Sequence, residues 1–309
     1  MTILSQSLWN PLIAVDLGTS RTRVAWGDRM AAELPSMAEE RQALRCGVVV
    51  DRAAAVTVLG SLMEHVARQC FAPPSAIACV PTDADDRERA MVIDCVTEAG
   101  ARAVYLVPEP FAAAVGAGAD LSSPYAHMVM DIGEGVTDCA VIKEGRIVAS
   151  RAVRIGCGDL RDAVTDAILT EWGLSVTRRA AELFLQRIGV EAAAGSHDLA
   201  TIVGFETRSG SQMVLRIPAS DLRTALQPEL DAIMSCATTL FRDIPHVWGS
   251  EIIDTGLLLS GGGSLLRGMC ARLAAETRLT VIRADDPLGA VVRGAREMLP
   301  VADLLQLWQ

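Results

Sequence analysis

Apolar positions flank a polar turn twice in this chain. The first case is Leu12–Trp26 ("LIAVDLGTSRTRVAW"), where two apolar stretches fold over D-L-G-T and predict a β-hairpin. The second is Met128–Ile142 ("MVMDIGEGVTDCAVI"), with nearly the same grammar. After the first hairpin the pattern predicts a strand at Arg45–Val50. A helix at Val56–Gln69 then ends at the breaker "FAPPS", before a buried strand at "AIACVP". Asp85–Ala99 reads as a helix stopped by Gly100, "AVYLV" as a strand, and Glu109–Gly116 as a small-residue helix with Pro110 at a tolerated early position.

The second hairpin restarts the series and leads into "GRIVASRAVRIG". Helices follow at Leu160–Trp172 and near Val176–Ile188, then a small antiparallel sheet over Thr201–Ile217. Asp221–Phe241 is a long amphipathic helix interrupted at Pro228. "GLLLSGGGSLLRGMCARLAAE" reads as strand, triple-glycine turn and helix; a strand at "LTVIRA" and two helical pieces close the chain. The organisation is therefore a duplicated α/β unit, residues 1–120 and then 121–309, with the last helix returning to the first half.

Length and composition agree with two soluble α/β domains: 309 residues, half of them apolar and only 4% aromatic. A formal net charge of −10 argues against nucleic acid as a partner and against a polybasic grip on anionic lipid. Lys143 is the only lysine. The eight cysteines include no C-x-x-C pair and the four histidines no metal-ligand spacing, which points to a reducing cytoplasm and no side-chain-nitrogen metal site. No run of 18 apolar residues exists, and "MTILSQSLWNP" lacks the features of a signal peptide.

A D-x-G-x-[GT] turn exposes consecutive backbone N–H groups, and glycine lets an anion approach without an intervening Cβ. An aspartate at the strand end suits the hydration shell of Mg²⁺ better than a phosphate. One such turn is commonplace in hairpins; two, each between apolar strands and joined by the glycine turn Ser260–Gly263, point to a nucleotide clamped between two domains.

On these residues the chain resembles the actin, sugar-kinase and heat-shock chaperone ATPase superfamily, and most closely the bacterial actins of the MreB/Mbl family. "IAVDLGTSRT" is similar to their first phosphate loop and "MDIGEGVTDCAV" to the second. "LLLSGGGSLLRGM" with "DDPLGAVVRGA" is similar to the adenosine motif. The resemblance implies an actin-like ATPase fold of two RNase H-like domains around a cleft that binds ATP and Mg²⁺.

It places Asp16, Gly18, Thr19 and Ser20 in the first loop and Asp131, Gly133, Gly135 and Thr137 in the second, with Asp16 and Asp131 holding Mg²⁺ through water. It gives Glu109 the role of orienting the attacking water, Glu182 that of a ribose contact, and Gly261, Gly262 and Gly263 the floor beneath adenosine. It further implies a slow ATPase coupled to head-to-tail filaments, lying at the cytoplasmic face of the inner membrane with cell-wall synthesis proteins as partners. Ile3, Leu4, Leu8 and Trp9, or Phe71 in "CFAPPS", would touch the membrane; Phe71 as a core-closing residue is the alternative.

Several positions depart from that family. Glu134 and Val136 give "GEGVT", Pro108 gives "VPEP", Cys157 replaces a glycine, and Leu183 and Leu185 stand where basic residues are expected. Between "ELPSMAEE" and "CGVVVD" the chain is shorter by roughly twenty residues, the bulk of subdomain IB. A partner-dependent scaffold that binds nucleotide weakly and does not polymerise is thus one alternative, and a small-molecule kinase another. The stripe Val301, Leu304, Leu305 and Trp308 reads as core packing or as a partner surface.

Overall fold

The computed structural model describes residues 11–27, 29–68, 70–191 and 199–301. Leu4, Leu8 and Trp9, and Leu304, Leu305 and Trp308 of the terminal stripe, lie outside the described residues.

The first half runs β1 (Leu12–Leu17), β2 (Arg21–Trp26), β3 (Arg29–Pro35), α1 (Arg52–Ala67), β4 (Ser75–Val80), α2 (Asp86–Glu98), β5 (Ala103–Pro108) and α3 (Glu109–Gly116). Its sheet has the order β3-β2-β1-β4-β5, antiparallel through the meander and parallel from β1 onward. The helices start where the local chemistry allows. The Asp51 side chain accepts from the Ala54 N–H at 2.9 Å, and Asp85 and Glu88 form a reciprocal capping box.

The second half repeats this plan with β6 (His127–Ile132), β7 (Thr137–Lys143), β8 (Arg146–Val153) and α4 (Cys157–Trp172). An insertion follows: β9 (Leu174–Ser175), α5 (Arg178–Ile188), the hairpin β10 (Leu199–Glu206) and β11 (Gln212–Pro218), and α6 (Ala219–Ala225). Then come α7 (Gln227–Asp243), α8 (His246–Thr255), β12 (Leu257–Ser260), α9 (Met269–Thr277), β13 (Val281–Arg283) and α10 (Ala290–Glu297). The sheet order β8-β7-β6-β12-β13 matches that of the first half strand for strand. The interruption expected at Pro228 is a division into α6 and α7, with Pro228 in the first turn of α7, where its missing N–H costs nothing.

Strand β3 and helix α8 are elements the pattern did not predict, and one predicted strand takes another form. Arg45–Val50 is not a strand of the main sheet; it folds back on itself in a short ladder, Leu44–Arg45 with Val48–Val49, which follows a similar one, Met37–Ala38 with Arg41–Gln42. The turn between Arg45 and Val48 needs positive φ at Cys46 (49°) and Gly47 (74°), which ends the extended run.

Each half buries its own apolar cluster, and a third cluster belongs to both. In the shared cluster Ala14, Ile77 and Ala113 of the first half meet Val129, Ala140, Ala290 and Ala295 of the second. There α3 and α10 cross so closely that a Cβ on Gly116 would run into the Ala290 carbonyl, and one on Gly294 into that of Ala112. Polar links also join the halves. Asp138 of β7 accepts from both the N–H and the hydroxyl of Thr82 at 2.6 Å. Arg154 donates to Asp83 and Glu88, each at 2.9 Å, and to the Cys46 carbonyl at 2.8 Å. Among the described residues no helix is long and apolar enough to cross a membrane.

Candidate functional site

Strands β1 and β6 end side by side across the middle of the molecule, and their polar turns face a cavity of about 610 Å³. That volume suits a ligand of nucleotide size. Of the residues singled out in the sequence, Asp16, Gly18, Thr19, Ser20, Glu109, Asp131, Gly133, Gly135, Glu182, Gly261 and Gly262 line it. Thr137 and Gly263 lie behind the wall instead. Thr137 is fully buried in β7 and donates its hydroxyl to the Ile155 carbonyl at 2.8 Å; Gly263 is pressed against the Ile132 side chain.

The three turns are built against one another. A Cβ on Gly135 would meet the Cys46 backbone and the Thr19 hydroxyl, so the second turn approaches the first half directly. Gly261 has φ +78° and packs on the backbone of Ile132, which leaves no room for a side chain. The first turn is braced by the short ladders: the Gly47 N–H donates to Thr19 Oγ1 at 2.9 Å and Gln42 to the Thr19 carbonyl at 2.8 Å. The second turn is braced by the start of α4, whose Cys157 and Gly158 N–H groups donate to the Gly133 and Glu134 carbonyls at 3.0 and 2.7 Å.

Three of the carboxylates that line this cavity are held above their usual range. Burial raises the pKa of Asp16, and its ion pair with Arg23 at 3.0 Å pulls the other way. Burial pushes Asp131 up to about 6 despite a hydrogen bond from the Ser260 hydroxyl, and the Asp16 charge adds to the rise. Glu109, at the N-terminus of α3, is raised well above the carboxylate range by burial and then by Asp16, Asp131 and Asp138. Acids that oppose one another's ionisation around one cavity are an arrangement that a cation relieves. The Cys157 thiol on the same wall is pushed up to about 12 by burial, which keeps it protonated and inert.

Other side chains that line the cavity were not among the expected site residues. Arg23 is the cross-strand partner of Asp16, a pairing that the hairpin register carries. Glu134, named above only as a departure in the second turn, accepts from Arg161 Nη1 and Arg178 Nη2, both at 2.6 Å. Those arginines lie on α4 and α5, 27 and 44 residues away, and no local signal marks them. Phe71, outside the cavity, is 71% exposed and does not close the core.

A family model described as MreB/Mbl protein matches residues 27–306. The cell shape-determining protein MreB of Pasteurella multocida is 32% identical over 279 residues, 89% of this chain and 80% of its own length. The cell shape-determining protein Mbl of Bacillus subtilis is 28% identical over 278 residues, with 90% and 84% covered. Among solved structures, MreB5 of Spiroplasma citri bound to ADP aligns with a TM-score of 0.87 at 23% identity, over 96% of this chain and 98% of that one. The MamK double helical filament aligns with a TM-score of 0.80 at 19% identity, over 94% and 98%. At these identities the two structures establish the actin-like fold.

Proposed function

The chain belongs to the MreB/Mbl family, and from that premise we propose that it is a cell shape-determining actin-like protein that binds ATP in the central cavity and assembles head to tail. The observation that carries this reading is the cavity itself: three glycine turns from two duplicated sheets converge on one space with Asp16, Asp131 and Glu109. Spiroplasma MreB5 is described bound to ADP and to AMPPNP, and MamK as a double helical filament, which supports both parts.

In this reading the halves divide near residue 120, and the turns at Gly18 and Gly133–Gly135 wrap the phosphates. Gly261 and Gly262 let adenosine lie against the backbone, and Glu182 accepts from ribose. Asp16 and Asp131 hold Mg²⁺, which neutralises phosphate charge when bound. Among the described residues no three His, Cys, Asp or Glu side chains cluster tightly enough to enclose an ion, which favours holding it through waters. Glu109 orients the attacking water, giving slow hydrolysis by positioning. Assembly would organise cell-wall synthesis at the cytoplasmic membrane face, with Phe71 as the anchor the exposure favours.

A second reading, a scaffold that binds nucleotide but needs a partner to assemble, is favoured by the two-residue ladders that occupy the place of a larger subdomain IB. High-speed sedimentation with Mg-ATP, Mg-ADP or no nucleotide separates the two. A pellet formed with Mg-ATP and lost in Asp16→Ala is the expected result. Protein that stays soluble in every tube but binds nucleotide supports the scaffold. Sedimentation indifferent to nucleotide and to Asp16→Ala overturns the proposal. With lipid vesicles, Phe71→Ala should leave the pellet intact and release the protein from lipid.

A further inference from the structure

Three arginines, from α5, α6 and the turn before α9, gather at the C-terminal end of α5. Arg223 of α6 donates from Nη2 to the Ile188 carbonyl at 3.0 Å, and Arg267, just beyond Leu266, donates from Nη2 to the same oxygen at 3.1 Å. Arg187, the residue before Ile188, stands beside them. Together they border a recess of about 180 Å³ whose remaining walls include Leu199, Ala200 and Ala219. Among the described residues no acidic side chain lines it. Arg187 forms no ion pair among the described residues, and Arg267 is only loosely paired, with Glu191 at 3.9 Å.

Capping one carbonyl uses one N–H from a guanidinium that carries five in a fixed fork. The shared carbonyl therefore fixes the heads of Arg223 and Arg267 while leaving donors of Arg267, and all those of Arg187, for a further acceptor. Guanidiniums held in place in this way suit tetrahedral oxyanions, which accept several charge-assisted hydrogen bonds at once. Size narrows the class. A water's share of liquid is about 30 Å³, so the recess takes a group equal to a few waters and not a nucleoside.

We propose that this recess is a binding site for a small phosphate-class oxyanion, free phosphate or the phosphomonoester end of a small molecule. The site is separate from the large cavity yet shares its wall. Gln186 and Leu266 face the large cavity, and Ile188 and Arg267 follow them on the far side.

Calorimetric titration of the full chain tests this, with AMPPNP and Mg²⁺ saturating the large cavity and ionic strength held constant with chloride. Inorganic phosphate and glycerol 3-phosphate are the probes. Saturable binding of phosphate is expected, weakened at least tenfold in the double variant R187Q/R267Q. Both substituted side chains lie at the surface, and an unchanged melting temperature checks the fold. The same phosphate binding is expected in Asp16→Ala without nucleotide, so a failure of nucleotide binding does not decide the outcome. Tighter binding of glycerol 3-phosphate than of phosphate identifies the phosphomonoester as the better ligand. Binding that survives in the double variant, binding abolished by AMPPNP, or no saturable binding overturns the proposal.

Discussion

The two hairpins share a backbone plan and differ in charge. In the first, Asp16 lies opposite Arg23; in the second, Asp131 lies opposite Asp138. Opposite charges across a strand pair stabilise it and like charges oppose it. Asp16 thus carries its counter-charge within its own hairpin. Asp131 relies on the Ser260 hydroxyl from β12, and Asp138 relies on Thr82 from the other half of the molecule. The duplicated sheet has kept its geometry while the electrostatics have diverged: one half is self-sufficient, and the other depends on its neighbour.

The contrast can be broken at its common base first. Gly116 and Gly294 are equivalent in both halves, and Gly294→Val should cost about 3 kcal/mol or more, because the helices must part to admit the side chain. Gly116→Val should cost about the same, as read from urea unfolding. A large difference between the two would show that the crossing is not symmetric.

Next in size is Arg23→Ala, which leaves Asp16 buried without its ion pair, as Asp131 already is. A loss of about 2–3 kcal/mol at pH 8 is expected, slightly discounted because Arg23 keeps some exposure. The loss should shrink as acid protonates Asp16; a loss independent of pH would mean that Arg23 acts through packing.

Asp138→Asn tests the opposite half, with the opposite sign. Burial raises Asp138 to about 7 from 3.8, so the folded chain keeps a proton that the unfolded chain releases. Between those values stability falls as pH rises, and it stays low above 7. The variant should flatten that slope and gain about 1–2 kcal/mol at pH 8. A variant less stable than the parent at pH 8 would show that the Thr82 hydrogen bonds outweigh the buried charge.

The smallest effect belongs to Glu134→Gln. The Gln amide oxygen still accepts from Arg161, so the cost in stability should stay at about 1 kcal/mol, while Arg161 and Arg178 are left with surplus charge at the cavity. Release of a fluorescent ADP analogue should slow by roughly threefold. Faster release would assign Glu134 to the ligand rather than to the arginines.

Much of this was legible in the chain, for stated reasons. Apolar runs around D-L-G-T and D-I-G-E-G mark hairpins wherever they occur, and Glu109–Gly116 is a helix to the residue. The cavity residues were legible because the turns themselves line it. What escaped notice depended on conformation or on distance. Cys46 adopts a left-handed conformation that its residue type does not favour, so the run Arg45–Val50 passed for a strand. Thr137 sits in a phosphate-loop motif but points back into β7, because its hydroxyl satisfies the Ile155 carbonyl. Glu134 looks like a liability until two arginines from distant helices are folded onto it.

The crossing of α3 with α10 also bears on how the molecule is made. Helix α10 is separated from α3 by the whole of the second sheet, yet it completes a core whose other members include Ala14, Ile77 and Ala113. On the ribosome the first sheet emerges early and can form its meander, but part of its apolar surface has no cover until residue 297 leaves the exit tunnel. Contacts of such long sequence separation form late and slowly. The nascent chain therefore keeps that surface open while the whole second sheet is being made, and chaperone demand should persist until α10 has emerged and docked.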